Sequence, residues 1–248
     1  MTDGGTGGGG AGGAGTGGGG RMRLRVTSRP VSTGSHLARV LDTGPMLRNT
    51  FFHPPDVWIG YLYANRADLL RLGALFRVAA SSPHSAVHVP AAPGAGPGPG
   101  PLDARRTSLL VAREDTGLRP SDWPALRRAP RRGGTPLTVT APAPRPADRP
   151  DGVRRSADRH PARYVEHAGT SFVLARPELL FRMGDSLTEA GESVATDREV
   201  HRRGESYRDD WAGFFDPAHT NVPMHALCIV AADPIFHRAR WHRPGQGN

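Results

Sequence analysis

Four stretches of this sequence lack the side chains that a hydrophobic core requires. Residues 1–20 contain thirteen glycines, 93–101 are Pro and Gly with one Ala, 129–160 are rich in Arg and Pro, and 242–248 form a short polar tail. Such segments bury too little apolar surface to offset the entropy of ordering them, so we expect a disordered tail at 1–20 and a flexible internal loop at 129–160. The roughly 180 residues that remain are enough for a hydrophobic core.

The remaining residues predict a single α+β domain over 21–241, interrupted by the linker 93–101 and the loop 129–160. Predicted helices and strands do not alternate regularly along the chain, which favours α+β over a doubly wound sheet. We expect the strands of the two halves, 21–128 and 161–241, to join a common mixed sheet.

The clearest predicted helix begins after Asn65, which has Asp68 three residues later and so fits an N-cap. An apolar stripe with helical spacing follows at Leu69, Leu72, Phe76 and Ala79. Ser81-Ser82-Pro83 ends the helix. Arg77 lies off this stripe, so we expect it to face solvent.

Other segments give shorter patterns. The predicted strands share alternating or continuous apolar residues. They span 22–26, which has a basic face, and 86–89, 107–112, 137–139 and 226–231, the last around Cys228; residues 164–175 form a predicted hairpin. Predicted short helices share a capping residue and lie at 121–128, after Thr196, and after Ser206, the last with Tyr207, Trp211 and Phe214 on one face. The run 226–231 is uninterrupted and apolar, which is typical of a strand buried on both faces.

One segment carries a candidate catalytic motif. Residues 184–191 read Gly-Asp-Ser-Leu-Thr-Glu-Ala-Gly, and residues 216–219 read Asp-Pro-Ala-His. These blocks resemble the first block and the closing DxxH block of the GDSL, or SGNH, esterase and lipase family. The resemblance implies that Ser186 is the nucleophile with its backbone N–H in the oxyanion hole, and that Asp216 and His219 complete a triad.

The same letters also fit a structural role. Ser186 and Glu189 have the spacing of a capping box at the start of a helix, and Asp216-Pro217 is typical of a turn after a helix. Residues 192–215 hold neither the family's glycine block nor its GxND block. No complete catalytic constellation can therefore be assembled from the sequence.

The sequence contains no complete motif for a metal site or a cofactor site. The single cysteine excludes an internal disulfide and a cysteine-cluster metal site. Two histidine sets could bring ligands together: His84 with His88, and Asp216 with His219 and His225. Neither set has the spacing of a zinc helix or a zinc finger, and neither a phosphate loop nor a dinucleotide fingerprint occurs. We predict no metal and no cofactor.

The positive charge of the chain is concentrated in one segment. All 32 basic residues are Arg, a bias typical of GC-rich coding sequence, and the formal net charge is +9. Residues 119–163 carry eleven Arg against four Asp. We expect this segment to attract polyanions weakly and in a salt-dependent way.

Three functions follow from these patterns. We favour a binding or interaction protein without a complete catalytic constellation. The alternatives are a serine ester hydrolase centred on Ser186 and an Arg-mediated binder of polyanions or nucleic acid. The chain has no run of about 18 apolar residues and no signal-peptide pattern at its N-terminus, so we expect a cytoplasmic protein that does not enter membranes.

Overall fold

A computed structural model describes residues 21–32, 35–44, 47, 49–54, 59–91, 107–128, 134–145, 161–196, 200, 204–211, 214–215 and 226–232. The predicted tails 1–20 and 242–248 and the linker 93–101 lie outside these residues, as do 129–133 and 146–160 of the predicted loop. Residues 134–145 of that loop are described, and they contain a strand.

The described residues form helices and strands in a mixed order along the chain. The strands are β1 (Arg23–Pro30), β2 (Arg39–Asp42), β3 (Thr50–His53), β4 (Ile59–Ala64), β5 (Ser85–Val89), β6 (Ser108–Arg113), β7 (Thr135–Thr140), β8 (Arg163–His167), β9 (Thr170–Ala175), β10 (Glu205–Asp210) and β11 (Ala226–Ala232). The helices are α1 (Arg66–Ala80), α2 (Trp123–Arg128) and α3 (Pro177–Ser193).

The strands form two mixed sheets. The larger sheet has the described strand order β7-β1-β2-β5-β6-β9-β8, with the pairs β2/β5 and β6/β9 parallel and the other pairs antiparallel. The smaller sheet has the order β10-β11-β4-β3, with β11/β4 parallel. The α+β class and the single domain are confirmed. The two halves do contribute to shared sheets, through β6/β9 and β4/β11, but to two sheets rather than the predicted one.

Helices α1 and α3 pack against each other; α1 contacts both sheets, and α3 contacts β10 and β11 of the smaller one. Their apolar faces join the inner faces of the two sheets in the largest hydrophobic cluster, which includes Leu72, Phe76, Leu180 and Leu187. A second cluster covers the other face of the larger sheet, where α2 contributes the fully buried Trp123. The larger sheet is therefore covered on both faces at its centre.

Several sequence predictions for the first half are confirmed. The Asn65 side chain accepts a hydrogen bond from the Asp68 backbone N–H at 2.9 Å, and the whole predicted stripe of α1 is buried. In β1, Leu24 and Val26 are buried while Arg23 and Arg25 are exposed. The strand predicted at 137–139 lies within β7, at an edge of the larger sheet.

The predicted hairpin of the second half is also confirmed. β8 and β9 pair antiparallel across Ala168-Gly169, which have φ of 50° and 74°. Both turn residues have positive φ, as in the type I′ turns that suit the twist of two-residue hairpins.

Two predictions of the second half are wrong. The helix expected after Ser206 is the strand β10, because Glu205–Asp210 pair with β11 and complete an edge of the smaller sheet. Strand pairing thus overrides the local capping signal, and Tyr207 is exposed rather than packed on a helix face. Cys228 lies in a central strand as expected, but it is half-buried rather than enclosed on both sides.

Among the helices described here, none combines the length and apolar composition that crossing a membrane requires.

Candidate functional site

The segment 184–187 lies in the interior of α3. β9 ends at Ala175, Arg176 is extended, and Pro177 is the first residue of the helix. Proline is favoured at this first position because it has no N–H to leave unpaired and its φ is already helical. The prediction that Ser186 and Glu189 cap a helix start is therefore wrong, since the helix begins nine residues earlier.

Three of the four residues of this segment hold α3 against α1. Gly184 lies so close to α1 that a Cβ on it would come 2.7 Å from the carbonyl oxygen of Gly73. The Asp185 carboxylate forms an ion pair of 3.2 Å with Arg77. Leu187 is fully buried in the main core. Each of these residue types is explained by helix packing.

Ser186 contacts the residue that follows β10. The Trp211 indole N–H donates to the Ser186 hydroxyl oxygen over 3.1 Å. Trp211 is fully buried and packs edge-on against Phe76, with ring centroids 5.5 Å apart. The Ser186 hydroxyl therefore gives a buried indole the acceptor that it needs.

The other two members of the predicted triad, Asp216 and His219, lie outside the described residues, as does His225. The structure describes Ser186 alone among the three.

The position of Arg77 differs from the prediction that it faces solvent. It is 3% exposed rather than solvent-facing. Its guanidinium donates to the Thr188 hydroxyl at 2.7 Å, to the Gly184 carbonyl at 3.1 Å and to the Pro142 carbonyl at 3.0 Å, in addition to the Asp185 carboxylate. The groups that hold Arg77 thus come from α3 and from the segment after β7.

Burial shifts both charged members of this network towards neutrality. It raises the pKa of Asp185, although the Arg145 backbone N–H and the Arg77 guanidinium oppose the change. It also lowers the pKa of Arg77 from its ordinary value, against the attraction of Asp185. Arg145 in addition covers the Phe181 ring at 4.0 Å, so the chain after β7 lies along α3. The arrangement is that of a structural ion pair, with its hydrogen bonds directed to other protein groups.

A second polar cluster surrounds Asp42 at the end of β2. Its carboxylate lies 3.5 Å from His88 Nδ1 and 3.7 Å from Arg29, and it accepts a hydrogen bond from the Gly44 N–H at 3.1 Å. Burial alone would raise the pKa of Asp42, but contacts with His88, Gly44 and Arg29 hold it below its ordinary value. The His88 ring packs against Trp123 with centroids 4.9 Å apart.

The histidine pair considered as a metal site does not converge. His88 is buried, whereas His84 precedes the strand, is exposed, and has its Nδ1 2.9 Å from the His36 carbonyl oxygen. Four residues along a strand span about 13 Å, too far for two ligands of one ion. In the described part of the chain, no three His, Cys, Asp or Glu side chains could hold a metal together.

Two of the described arginines in the 119–163 segment donate to backbone carbonyl groups. Arg127 donates to the Ala168 carbonyl at 3.1 Å, and Arg128 donates to the Pro124 carbonyl at 3.0 Å. The arginines at 131, 132, 149, 154, 155 and 159 lie outside the described residues.

None of the protein-family models, curated proteins and solved structures compared with this chain matches it.

Proposed function

We propose that this protein is a non-catalytic binding protein and that Ser186 is a structural residue. The observation that carries the proposal is the position of Ser186 within α3, where its hydroxyl accepts the indole N–H of Trp211. A serine nucleophile needs a base that removes its proton, whereas indole can only donate.

The backbone at Ser186 supports the same conclusion. The resemblance to the GDSL family implies that the N–H of the nucleophile contributes to an oxyanion hole. Inside an α-helix each N–H is already bonded to the carbonyl four residues before it. Ser186 is the tenth residue of α3, so its N–H belongs to the helix. An oxyanion hole requires donors that point at the reacting oxygen, and this geometry does not offer one from Ser186.

A fluorophosphonate probe tests the proposal directly, because it labels an activated serine covalently. We expect no labelling of the purified full-length protein at Ser186 and no Ser186-dependent turnover of a short-chain ester. Ser193→Ala is the control, since Ser193 lies two turns further along α3 and donates to the Ala190 carbonyl. Stoichiometric labelling that is lost in both Ser186→Ala and His219→Ala would overturn the proposal and favour the esterase.

The proposal extends to a cytoplasmic location. Fractionation of cells that produce the full-length chain should recover it with a cytosolic marker enzyme. Recovery in the washed membrane fraction would contradict this part of the proposal.

A further inference from the structure

The strand β7 is an edge strand without the protection that the other described edge strands have. Unpaired backbone groups at a sheet edge attract further strands unless burial, charged side chains or a bulge prevents it. β3 is buried throughout, β8 carries Arg163, Glu166 and His167, and β10 has four charged residues in its sequence and a bulge. β7 has no charged side chain, and five of its six residues are exposed. Among the edges that the structure describes, β7 is therefore the most open to a further strand.

The free hydrogen-bonding groups of β7 belong to alternate residues. In an antiparallel pair, residues that bond the neighbouring strand alternate with residues whose N–H and C=O point away from it. The Ala141 N–H donates to the Met22 carbonyl over 2.8 Å, and these two residues continue the β1/β7 register by one position. The N–H groups of Thr138 and Thr140 therefore point towards the open edge. Pro136 lies in the same outward series, where its missing N–H costs no bond to β1.

The basic face of β1 determines one set of side chains that a further strand needs. Thr138 is opposite Arg25 and Thr140 is opposite Arg23, and opposite residues share a face of the sheet. A strand added to β7 would lie about 10 Å from β1, with only these short threonines between them. An arginine and an acidic side chain together span that distance. Both arginines are exposed, and neither forms an ion pair within the described part of the chain.

The other face of β7 determines the second set. Leu137 is opposite Val26, which is buried in the main core, yet Leu137 itself is 38% exposed. An apolar residue of an added strand would cover the Leu137 side chain. Since successive side chains of a strand point to opposite faces, the matching segment alternates acidic and apolar residues.

A second copy of this chain and a nucleic acid fit this edge less well. In an edge-to-edge pair of β7 strands, Arg23 and Arg25 of both copies would lie on the same face of one sheet, and each copy has a formal net charge of +9. A single-stranded nucleic acid requires aromatic side chains on which bases stack, and neither β1 nor β7 contains one. The positive charge and the free backbone groups together favour an acidic polypeptide.

We propose that β7 binds an extended segment of a partner protein as an added strand, with acidic residues beside Thr138 and Thr140 and an apolar residue beside Leu137. The backbone hydrogen bonds of the added strand provide affinity, and its side chains provide selectivity. This inference rests on the proposed binding function and names its surface and the chemistry of its partner.

Fluorescence anisotropy of a fluorescein-labelled peptide of four Glu-Val repeats, titrated with the full-length protein, tests the inference. We expect 1:1 binding that weakens with added salt, because the ion pairs with β1 are exposed. A peptide of four Lys-Val repeats has the same strand-forming pattern with the opposite charge, and we expect it to bind at least about tenfold more weakly. Equal affinities of the two peptides for the protein would contradict an acidic partner.

Thr138→Pro tests whether the open edge of β7 is the binding surface. Proline removes the outward N–H and places its ring on the open edge, while the hydrogen bonds to β1 are kept. We expect a midpoint of thermal unfolding close to that of the parent protein and an affinity for the Glu-Val peptide at least about tenfold lower. Thr138→Val is the matched control, because it keeps the N–H and should bind within about twofold of the parent protein. Equal affinities of the two variants would overturn the assigned edge.

Amide hydrogen exchange tests the same edge without a substitution. When the Glu-Val peptide is bound to the parent protein, the N–H groups of Thr138 and Thr140 should exchange more slowly, because each gains a partner. The N–H groups of Leu137 and Val139 already bond β1 and should change less. No slowing at Thr138 in the peptide complex would show that the peptide binds elsewhere.

Arg25→Gln tests the contribution of charge. We expect it to lower the affinity for the Glu-Val peptide at least about threefold, as the loss of an exposed ion pair does. Arg163→Gln is the control, because it removes the same charge from an exposed position on β8, at the opposite edge of the larger sheet. Equal losses of affinity in the two variants would mean that overall charge, rather than Arg25, attracts the peptide.

The remaining outcomes distinguish this inference from its alternatives and from the proposed function. Absence of peptide binding, with no fluorophosphonate labelling of Ser186, would overturn the role of β7 alone. Binding that Thr138→Pro abolishes, together with labelled Ser186, would support the role of β7 and overturn the non-catalytic function. A concentration-dependent dimer in sedimentation that Thr138→Pro abolishes would assign the edge to a second copy and overturn the acidic partner. Arg25-dependent binding of a thymidine oligonucleotide without peptide binding would overturn it in favour of nucleic acid.

Discussion

Gly73 of α1 lies backbone to backbone against Gly184 of α3. A Cβ built on Gly73 would come 2.5 Å from the Gly184 carbonyl oxygen and 2.4 Å from the Thr188 hydroxyl. A Cβ on Gly184 would come 2.7 Å from the Gly73 carbonyl oxygen. The crossing of the two central helices therefore depends on the absence of a side chain at both positions.

We expect Gly73→Ala to destabilise the protein by about 1–3 kcal/mol, although alanine favours helix by up to about 1 kcal/mol relative to glycine. The reason is that backbone atoms of α3 would have to move away from α1. Urea unfolding followed by circular dichroism measures the change. Gly191→Ala is the control, because its new Cβ would come no closer than 3.1 Å to the Leu70 side chain and 3.2 Å to Leu69 Cβ, and no backbone atom of α1 would lie closer. Equal losses of unfolding free energy in the two variants would mean that the backbone contact between Gly73 and Gly184 does not determine how closely α1 and α3 pack.

Arg77→Ala should destabilise the protein by about 3 kcal/mol, because breaking a buried ion pair leaves its partners unsatisfied. Asp185, Thr188 and the Pro142 carbonyl would each lose a donor. Arg66→Ala, an exposed substitution at the first residue of α1, should change the unfolding free energy by less than about 0.5 kcal/mol. Equal effects on the unfolding free energy would show that the Arg77 contacts contribute nothing to stability.

The contrast between α1 and its contacts shows what the sequence can predict. The Asn65 cap and the apolar stripe are local patterns, so the helix could be predicted in full. The burial of Arg77 could not, because Asp185 lies 108 residues away and no periodicity connects the two. The one available signal was Gly73, a glycine in the interior of a helix, which often marks a close approach of another backbone.

The strand β10 and the role of Ser186 could not be predicted for a similar reason. The capping spacing at Ser206 is local, and pairing with β11 overrides it. The role of Ser186 could not be predicted either, because its hydroxyl meets Trp211, 25 residues further along the chain, only in the assembled fold. The sequence did predict the basic face of β1, where Arg23 and Arg25 are exposed.

The free energy of unfolding should depend on pH in part through Asp42. Its folded-state pKa lies below the ordinary value, so its contribution is fully present above the unfolded pKa and is lost as the pH falls through the folded pKa. Below about pH 4, the unfolding free energy of the parent protein should fall towards that of Asp42→Asn, and above about pH 5 their difference should be constant. Urea titrations between these limits measure the difference. Asp122→Asn is the control, since the Asp122 carboxylate forms no ion pair in the described residues. A difference that stayed constant down to the acid limit would contradict the stabilising role of the Asp42 contacts.

Cutting the chain between Pro150 and Asp151 should leave two fragments that remain associated. The strand pairs β6/β9 and β4/β11 and the packing of α1 on α3 all join residues from opposite sides of the cut. A protease recognition sequence inserted at this point, within the loop predicted from the sequence, allows specific cleavage of the full-length chain. We expect the fragments to elute together in size-exclusion chromatography and to separate only in denaturant.

The same cleaved protein can show which contact holds the fragments together. Introducing Gly73→Ala should lower the urea concentration at which they separate, because without a covalent link the α1–α3 crossing contributes directly to association. The fragments of the Gly191→Ala variant should separate at about the same urea concentration as those of the unsubstituted cleaved protein. Fragments that part in buffer alone, before any substitution, would show that the shared sheets do not hold the two halves, and the single-domain architecture would then have to depend on the covalent connection at 129–160.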